Sequence, residues 1–319
     1  MSVQRMTSPY DSRSTAFEVL EGVDLTGRHY VVTGGASGIG AESARALARA
    51  GGQVLIGTRD PTSAQALIDE VAAAPGRGSV QAAALDLTSP SSVAAFTRSV
   101  DGAVDALVAN AGVMAIPTRQ LTSVGWETQL ATNYLGHFAL ALGLRDRLRA
   151  AEAGRVVVVS SSAHLRSPFD FDDPQFERRP YDRWTAYSQS KTADVLLATG
   201  IAERWGGDGI VANALMPGWI TTRLQRHLDD ETLRSMGAMD EEGNRIEQSF
   251  YKTPQQGAST TVLLAASPLV DGVTGRYFED NQEAATVPDG AGRTNGVAAY
   301  AVDRSAAGRL WDLGSSALA

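Results

Sequence analysis

Tyr187 and Lys191 stand four residues apart in Thr185-Ala-Tyr-Ser-Gln-Ser-Lys-Thr-Ala-Asp-Val-Leu-Leu197, a segment whose Ala- and Leu-rich end predicts a helix. Residues at that spacing share a helix face, so the phenol and the ammonium point into the same space. A phenol titrates near pH ~10, and a neighbouring cation favours its ionised form, drawing that value toward neutrality. Such a group can give a proton to, or take one from, an alcohol or carbonyl oxygen. The spacing alone also describes ordinary surface neighbours, so its meaning depends on whether the same chain binds a redox cofactor.

A second cluster meets that condition. Arg28-His-Tyr-Val-Val-Thr33, rich in β-branched and aromatic residues, runs into Gly34-Gly-Ala-Ser-Gly-Ile-Gly40 and then into an amphipathic stretch closed by Gly51 and Gly52. Strand, glycine turn and helix form the setting in which backbone N–H groups and a helix N-terminus cradle a pyrophosphate. Gly34 would make the tight turn, Gly38 would let phosphates approach the backbone, and Gly40 would let helix and strand pack closely. The spacing is Gly-x-x-x-Gly-x-Gly, which differs from the commoner Gly-x-Gly-x-x-Gly.

The rest of the chain must position these groups. Its 319 residues, 43% of them hydrophobic, suffice for the core of one large domain or two small ones. A net charge of −8 argues against a nucleic-acid partner. The absence of cysteine excludes disulfides, thiol nucleophiles and zinc–thiolate sites. His29, His137, His164 and His227 show no ligand spacing, so no metal is expected. No apolar run is long enough to span a bilayer, and the first ten residues lack the apolar core of a signal peptide. A soluble, cytoplasmic protein without a membrane partner is expected.

Strands are predicted at residues 28–33, 53–57, 80–85, 106–110, 155–160, 210–215 and 275–278, separated by helical segments. Ser89-Pro90 reads as a cap and first turn, and Thr253-Pro-Gln-Gln256 as a capping box. Arg155-Val-Val-Val-Val-Ser160 has no polar alternation, as in a parallel strand buried on both faces. Repeated β-α units imply an α/β fold: one Rossmann-like, doubly wound domain with a parallel seven-stranded sheet and helices on both faces. That domain spans residues 25–279, after a loosely held arm (1–24) and before a Gly- and Ala-rich C-terminal extension (280–319) that extends around the body or a partner subunit. An insertion at 166–183 is expected to rim the substrate mouth, its acidic Asp170-Phe-Asp-Asp173 pairing with Arg178 and Arg179 rather than holding a cation.

Taken in order, the glycine turn, Asn110-Ala-Gly112, Asn133, the serines after the fifth strand, Tyr187-x-x-x-Lys191 and Pro217-Gly-Trp-Ile-Thr-Thr222 resemble the short-chain dehydrogenase/reductase family. The resemblance covers roughly Leu25 to Phe278. Val159-Ser-Ser-Ser-Ala-His164, with the stretch from Glu177 to Tyr187, is similar to the retinol-dehydrogenase-like branch in its soluble bacterial form. What this implies is an oxidoreductase moving hydride between a nicotinamide and a carbonyl/alcohol group of a small, fairly apolar substrate. Membrane-bound relatives that act on retinoids carry a hydrophobic anchor; none is visible here, so a retinoid is not expected.

The resemblance also implies roles. Tyr187 would be the general acid/base, and Lys191 would lower its pKa and hold the nicotinamide ribose. Ser161 would hydrogen-bond the substrate oxygen, with Ser162 as the competitor one residue off. Asn133 would complete a water-linked proton path through Lys191. Gly34, Ser37, Gly38, Ile39 and Gly40 would surround the phosphates, and Asn110, Ala111 and Gly112 would pass under the adenosine ribose. Asp86, with Leu87, would meet the adenine edge, and Pro217, Gly218, Ile220 and Thr222 the nicotinamide carboxamide. Relatives associate through their long helices, here about 126–149 and 187–205, which implies a homodimer or homotetramer.

Cofactor choice turns on the end of the second strand. An acid there would accept the ribose 2′-hydroxyl of NAD, whereas an Arg accommodates the 2′-phosphate of NADP. Thr58-Arg59 precedes the first acid, Asp60, and the planar fork of Arg59 suits a phosphate, with Ser37 able to add a hydroxyl. NADP(H) is therefore expected, with NAD(H) as the alternative. A non-catalytic NADP(H) sensor on the same fold is the competing class, but it has no need of Ser161, Tyr187 and Lys191 together.

Overall fold

The computed structural model describes residues 5–319 apart from 75, 247 and 291. Strands β1 (His29–Thr33), β2 (Gln53–Thr58), β3 (Ser79–Ala84), β4 (Ala106–Ala109), β5 (Arg155–Val159), β6 (Val211–Met216), β7 (Tyr277–Glu279) and β8 (Gln282–Glu283) form one sheet in the order β3-β2-β1-β4-β5-β6-β7-β8. The pairs from β3 to β7 are parallel, and β8 returns antiparallel to β7. The described sheet thus has eight strands where seven were expected. The extra one is a two-residue polar strand, Gln282-Glu283, too short to show a period. Asp280 and Asn281 between the two strands both have positive φ (52° and 63°), as a tight two-residue hairpin requires.

The helices are α1 (Ala16–Val19), α2 (Gly38–Arg49), α3 (Gln65–Ala73), α4 (Pro90–Ser99), α5 (Thr128–Leu130), α6 (Gly136–Arg149), α7 (Arg183–Trp205), α8 (Asp230–Ser235), α9 (Pro254–Gly257), α10 (Ser259–Ala266) and α11 (Arg304–Ala317). Leu47 of α2, Leu67 of α3 and Val262 of α10 pack on one face of the sheet. Phe96 of α4, Leu144 of α6 and Leu196 of α7 pack on the other. The sheet is therefore doubly wound, and the order reverses between β1 and β4. Loops leaving the C-terminal ends of those two strands diverge and open a crevice there. Local signals landed as expected: Ser89 caps α4 ahead of Pro90, and Thr253 and Gln256 form a reciprocal capping box on α9.

Two expectations need correction. Residues 5–24 are not loosely held. Met6 N–H donates to the Glu283 carboxylate at 2.8 Å, the Asn281 side chain donates to the Asp11 carbonyl at 2.7 Å, and Ala16, Val19 and Leu20 are buried. A four-residue helix carries too little periodicity to announce that burial. The helix expected from about residue 126 starts at Thr128 behind the Glu127 carboxylate and widens into a π turn at Ala131–Leu135 before α6. The C-terminal extension lies against the body, where it partly covers the long helices α6 and α7. Trp311 of α11 lies edge-on against Phe138 (4.9 Å) and Trp205 (5.7 Å), and Ala307, Leu310 and Gly314 are buried there.

Close approach sets one further limit. A Cβ on Gly136 would lie 2.3 Å from the carbonyl oxygen of Leu87, so α6 crosses the β3–α4 loop at backbone contact. Gly136→Ala should therefore destabilise the protein by about 1–3 kcal/mol through overpacking, lowering Tm by roughly 3–10 °C in calorimetry. An unchanged Tm would show that this loop yields freely.

Candidate active site

The floor of the crevice is built on Thr33, the last residue of β1. Its Oγ1 accepts the backbone N–H groups of Asn110 and Ala111 (2.9 Å each), while the Asn110 side-chain amide donates to the Thr33 carbonyl at 2.8 Å. These bonds fix the loop after β4 against the glycine turn. Gly40 makes the approach feasible, because a Cβ there would sit 2.5 Å from Asn110 Nδ2. Gly34 and Gly38 both have positive φ, +66° and +56°. Ser37 caps α2 in extended backbone without a side-chain cap bond, leaving its hydroxyl free of that duty.

Behind the floor lies His137. Its Nδ1 is 2.8 Å from the Asn133 carbonyl, an acceptor, so Nδ1 carries the proton and Nε2 accepts from the Thr33 hydroxyl at 2.9 Å. Burial holds this imidazole neutral, lowering its pKa to about 4. Asn133 itself is fully buried. Its side chain accepts from Val113 N–H (2.9 Å) and donates to the Val113 carbonyl (3.0 Å) and to Ser190 Oγ (2.8 Å).

Tyr187 and Lys191 face the crevice from α7, both 4% exposed. The Lys191 ammonium donates to the Val159 carbonyl at 3.0 Å and to Asp194 Oδ2 at 2.8 Å, and lies 5.9 Å from the centre of the Tyr187 ring. Burial raises the Tyr187 pKa; Lys191 and then the Ser161 hydroxyl pull it down, and the Asp194 charge pushes it up again. The net direction is upward, contrary to the shift toward neutrality expected from the Lys191 spacing. Burial disfavours the phenolate, and the carboxylate beside Lys191 offsets part of the ammonium field.

Ser161 caps the turn Ser162–Arg166, accepting the Ala163 N–H at 3.1 Å. Its carbonyl is 2.7 Å from His164 Nδ1, and His164 Nε2 accepts the Ala298 N–H at 3.3 Å, which makes His164 neutral as well. Tyr300 donates to the His164 carbonyl at 2.7 Å. The C-terminal extension therefore braces the serine turn directly.

These elements enclose a cavity of about 650 Å³. All the residues expected around a dinucleotide line it, from Gly34 through Arg59, Asp86 and Gly112 to Thr222. Ser161, Tyr187 and Lys191 share the same wall. Asn133 does not reach it and stands behind Gly112, where an added Cβ would be 3.2 Å from its Oδ1. Arg59 is exposed on the rim, whereas the Asp60 carboxylate is engaged by the Thr62 N–H (3.0 Å) and hydroxyl (2.7 Å).

The insertion contributes less than expected, since only Arg166 of residues 166–183 lines the cavity. Asp173 accepts the N–H groups of Glu177, Arg178 and Arg179 and folds the loop on itself. Arg179 pairs with Asp170 (3.2 Å) and Asp173 (3.7 Å), while the Arg178 side chain reaches only the Asp172 carbonyl. The other rim is formed by the segment around α8, which sequence reading left without elements; Leu224, Met236 and Tyr251 line the cavity from there. Sequence reasoning also passed over His137, His164 and Asp194. For Asp194 a signal existed, namely an acid one helical turn beyond Lys191.

A family profile described as short chain dehydrogenase matches residues 28–233. A probable oxidoreductase from Streptomyces lividans is 64% identical over 296 residues, covering 93% of this chain and 99% of that protein. Retinol dehydrogenase 13 of Mus musculus is 34% identical over 290 residues, covering 90% of this chain and 82% of that one. Among solved structures, the Pseudomonas aeruginosa RhlG/NADP active-site complex is similar at TM-score 0.61 and 26% identity, covering 80% of this chain and 95% of that one.

The buried imidazole of His137 makes a measurable prediction. It stays neutral in the fold, whereas the unfolded chain takes up its proton near 6.5, so its contribution to stability is full above 6.5 and declines as pH falls toward about 4. Urea unfolding of the wild type and His137→Gln should show the difference in unfolding free energy shrinking by roughly 1.4 kcal/mol per pH unit through that window. A constant difference would mean that the imidazole is protonated in the fold.

Proposed function

The chain belongs to the short-chain dehydrogenase/reductase family and acts on CH–OH or C=O groups with a nicotinamide nucleotide; we propose that this nucleotide is NADP(H), that the substrate is small and fairly apolar, and that Tyr187, Lys191 and Ser161 carry the reaction. The observation that carries this reading is that the three side chains share one cavity with the glycine turn. The residues present fit a dinucleotide. A glycine cradle at the N-terminus of α2 suits a pyrophosphate, and the cavity continues from there to Tyr187. For NADP(H), the support is that Asp60 is occupied in capping its own turn while Arg59 remains at the rim.

A bound nicotinamide supplies or accepts the hydride at the reacting carbon. In reduction Tyr187 gives its phenolic proton to the carbonyl oxygen, and in oxidation it takes that proton back from the alcohol. Ser161 donates a hydrogen bond to the same oxygen and orients it. The Lys191 ammonium stabilises the phenolate that remains and holds a ribose hydroxyl. Asn133, behind the wall, keeps the turn at Gly112 and Val113 and the adjacent Ser190 in place. Trp184, Trp219, Met114 and Met236 give the substrate end of the cavity its apolar character. No described helix is long and apolar enough to cross a membrane, and we assign the protein to the cytoplasm.

NADPH absorbance, followed against a panel of ketones, aldehydes and quinones, tests the assignment. Tyr187→Phe should lose at least ~100-fold in turnover while binding NADPH normally, since the proton donor is gone; near-normal turnover would overturn the proposal. Arg59→Ala should raise KM for NADPH by about 10-fold or more and leave that for NADH unchanged, the difference being a charge-assisted bond to the 2′-phosphate. Equal effects on both nucleotides would remove Arg59 from cofactor choice.

A further inference from the structure

Asp194 has no part in the reaction as set out above, yet it is the acid in contact with Lys191. It follows Lys191 by three residues on α7, is 1% exposed, and places Oδ2 2.8 Å from the Lys191 Nζ. Its Oδ1 is buried without a hydrogen-bond partner, although an ionised carboxylate ordinarily accepts at both oxygens. A carboxylate so poorly solvated is retained only through the cation it meets.

The groups that face this pair are few. Tyr187 shares α7 with it. From the helix across come Tyr134, which feels the Asp194 charge and that of Arg204, and His137, which feels the Lys191 charge. Tyr134 donates to the Leu310 carbonyl at 2.7 Å, and His137 is neutral. From β5 the contact is the Val159 carbonyl on Lys191. The charges acting on the Tyr187 phenol are Lys191, which lowers its pKa, and Asp194, which raises it.

We propose that Asp194 is a positioning residue: it clamps the Lys191 ammonium beside the phenol and, by the share of that charge it cancels, sets the pH at which Tyr187 releases its proton. The inference rests on Tyr187 being the proton donor of the proposed reaction. With Asp194 ionised, the anion offsets part of the ammonium field and Tyr187 holds its proton more firmly, the form that carbonyl reduction consumes. With Asp194 neutral, the uncompensated ammonium favours the phenolate, the form that alcohol oxidation needs. Burial pushes the Asp194 carboxyl up against the pull of Lys191.

Asp194→Asn keeps the shape and a hydrogen bond to Lys191 while removing the charge. Ultraviolet tyrosinate absorbance, taken as the difference between each protein and its Tyr187→Phe counterpart, reports the ionisation of Tyr187 without any substrate. In Asp194→Asn that ionisation should move down by about one pH unit or more, a tenfold change in phenolate at fixed pH, and the pH limb of NADPH-dependent turnover should move the same way. An unmoved or upward-shifted titration overturns the proposal, even if turnover falls, because lost packing slows the reaction alike at every pH. Asp194→Ser serves the same test if the Asn variant does not fold. Absence of turnover with every carbonyl in the wild type would count against the reductase reading alone, and the tyrosinate titration would still decide the role of Asp194.

Discussion

Lys191 carries an ammonium into a region that water barely reaches, and a charge in such a place survives only where the surrounding chain supplies partners for it. One partner is the Val159 carbonyl at the end of β5, left free by the strand because the ladder stops there. The other is Asp194, from the same helix. Both require α7 to lie tightly against the end of β5, and Ser160 fastens it further by donating to the Lys191 carbonyl at 2.7 Å. Because one flank of α7 meets the sheet and another meets α11, the helix is buried almost all round from Ala186 to Ile201. Its small residues and its lack of a polar face follow from that position.

The same economy of buried polar groups links the ends of the molecule to the site. His137 joins the end of β1 to the π turn, and His164 joins the serine turn to residues near 298, each as a neutral imidazole with a donor on one side and an acceptor on the other. Gly290 approaches Leu165 so closely that a Cβ would lie 1.8 Å from its carbonyl oxygen. The C-terminal extension is therefore a brace for Ser161, and its helix α11 closes the outer face of α7. The N-terminal segment is held by the hairpin turn at Asp280 and Asn281, through Ser8 and Asp11.

Most of the sheet was legible because parallel strands buried on both faces, such as Val156 to Val159, are apolar without interruption. The glycine turn was legible because its flanking strand and helix gave it a context. Illegible elements were short or polar: the hairpin strand Gln282–Glu283, the four-residue helix Ala16–Val19, and the stretch from Leu224 to Met236 that lines the cavity around α8. The acidic insertion could be read as a self-paired loop from its composition, but its place beside the cavity rather than around it depended on Arg119 and Tyr181 reaching across to the neighbouring loops.

By itself the sequence determined the alternation of elements and the shared face of Tyr187 and Lys191, since both follow from the fixed periods of strand and helix. It also carried the order of motifs that marks the family. Only the tertiary structure decided what those groups experience. Spacing says that a cation stands near the phenol; it does not say that the pair is dry, that Asp194 offsets the cation, or that Asn133 stands behind the cavity wall. The reason is physical: proximity along a helix is local, whereas dehydration and the balance of charge are sums over everything packed around a site.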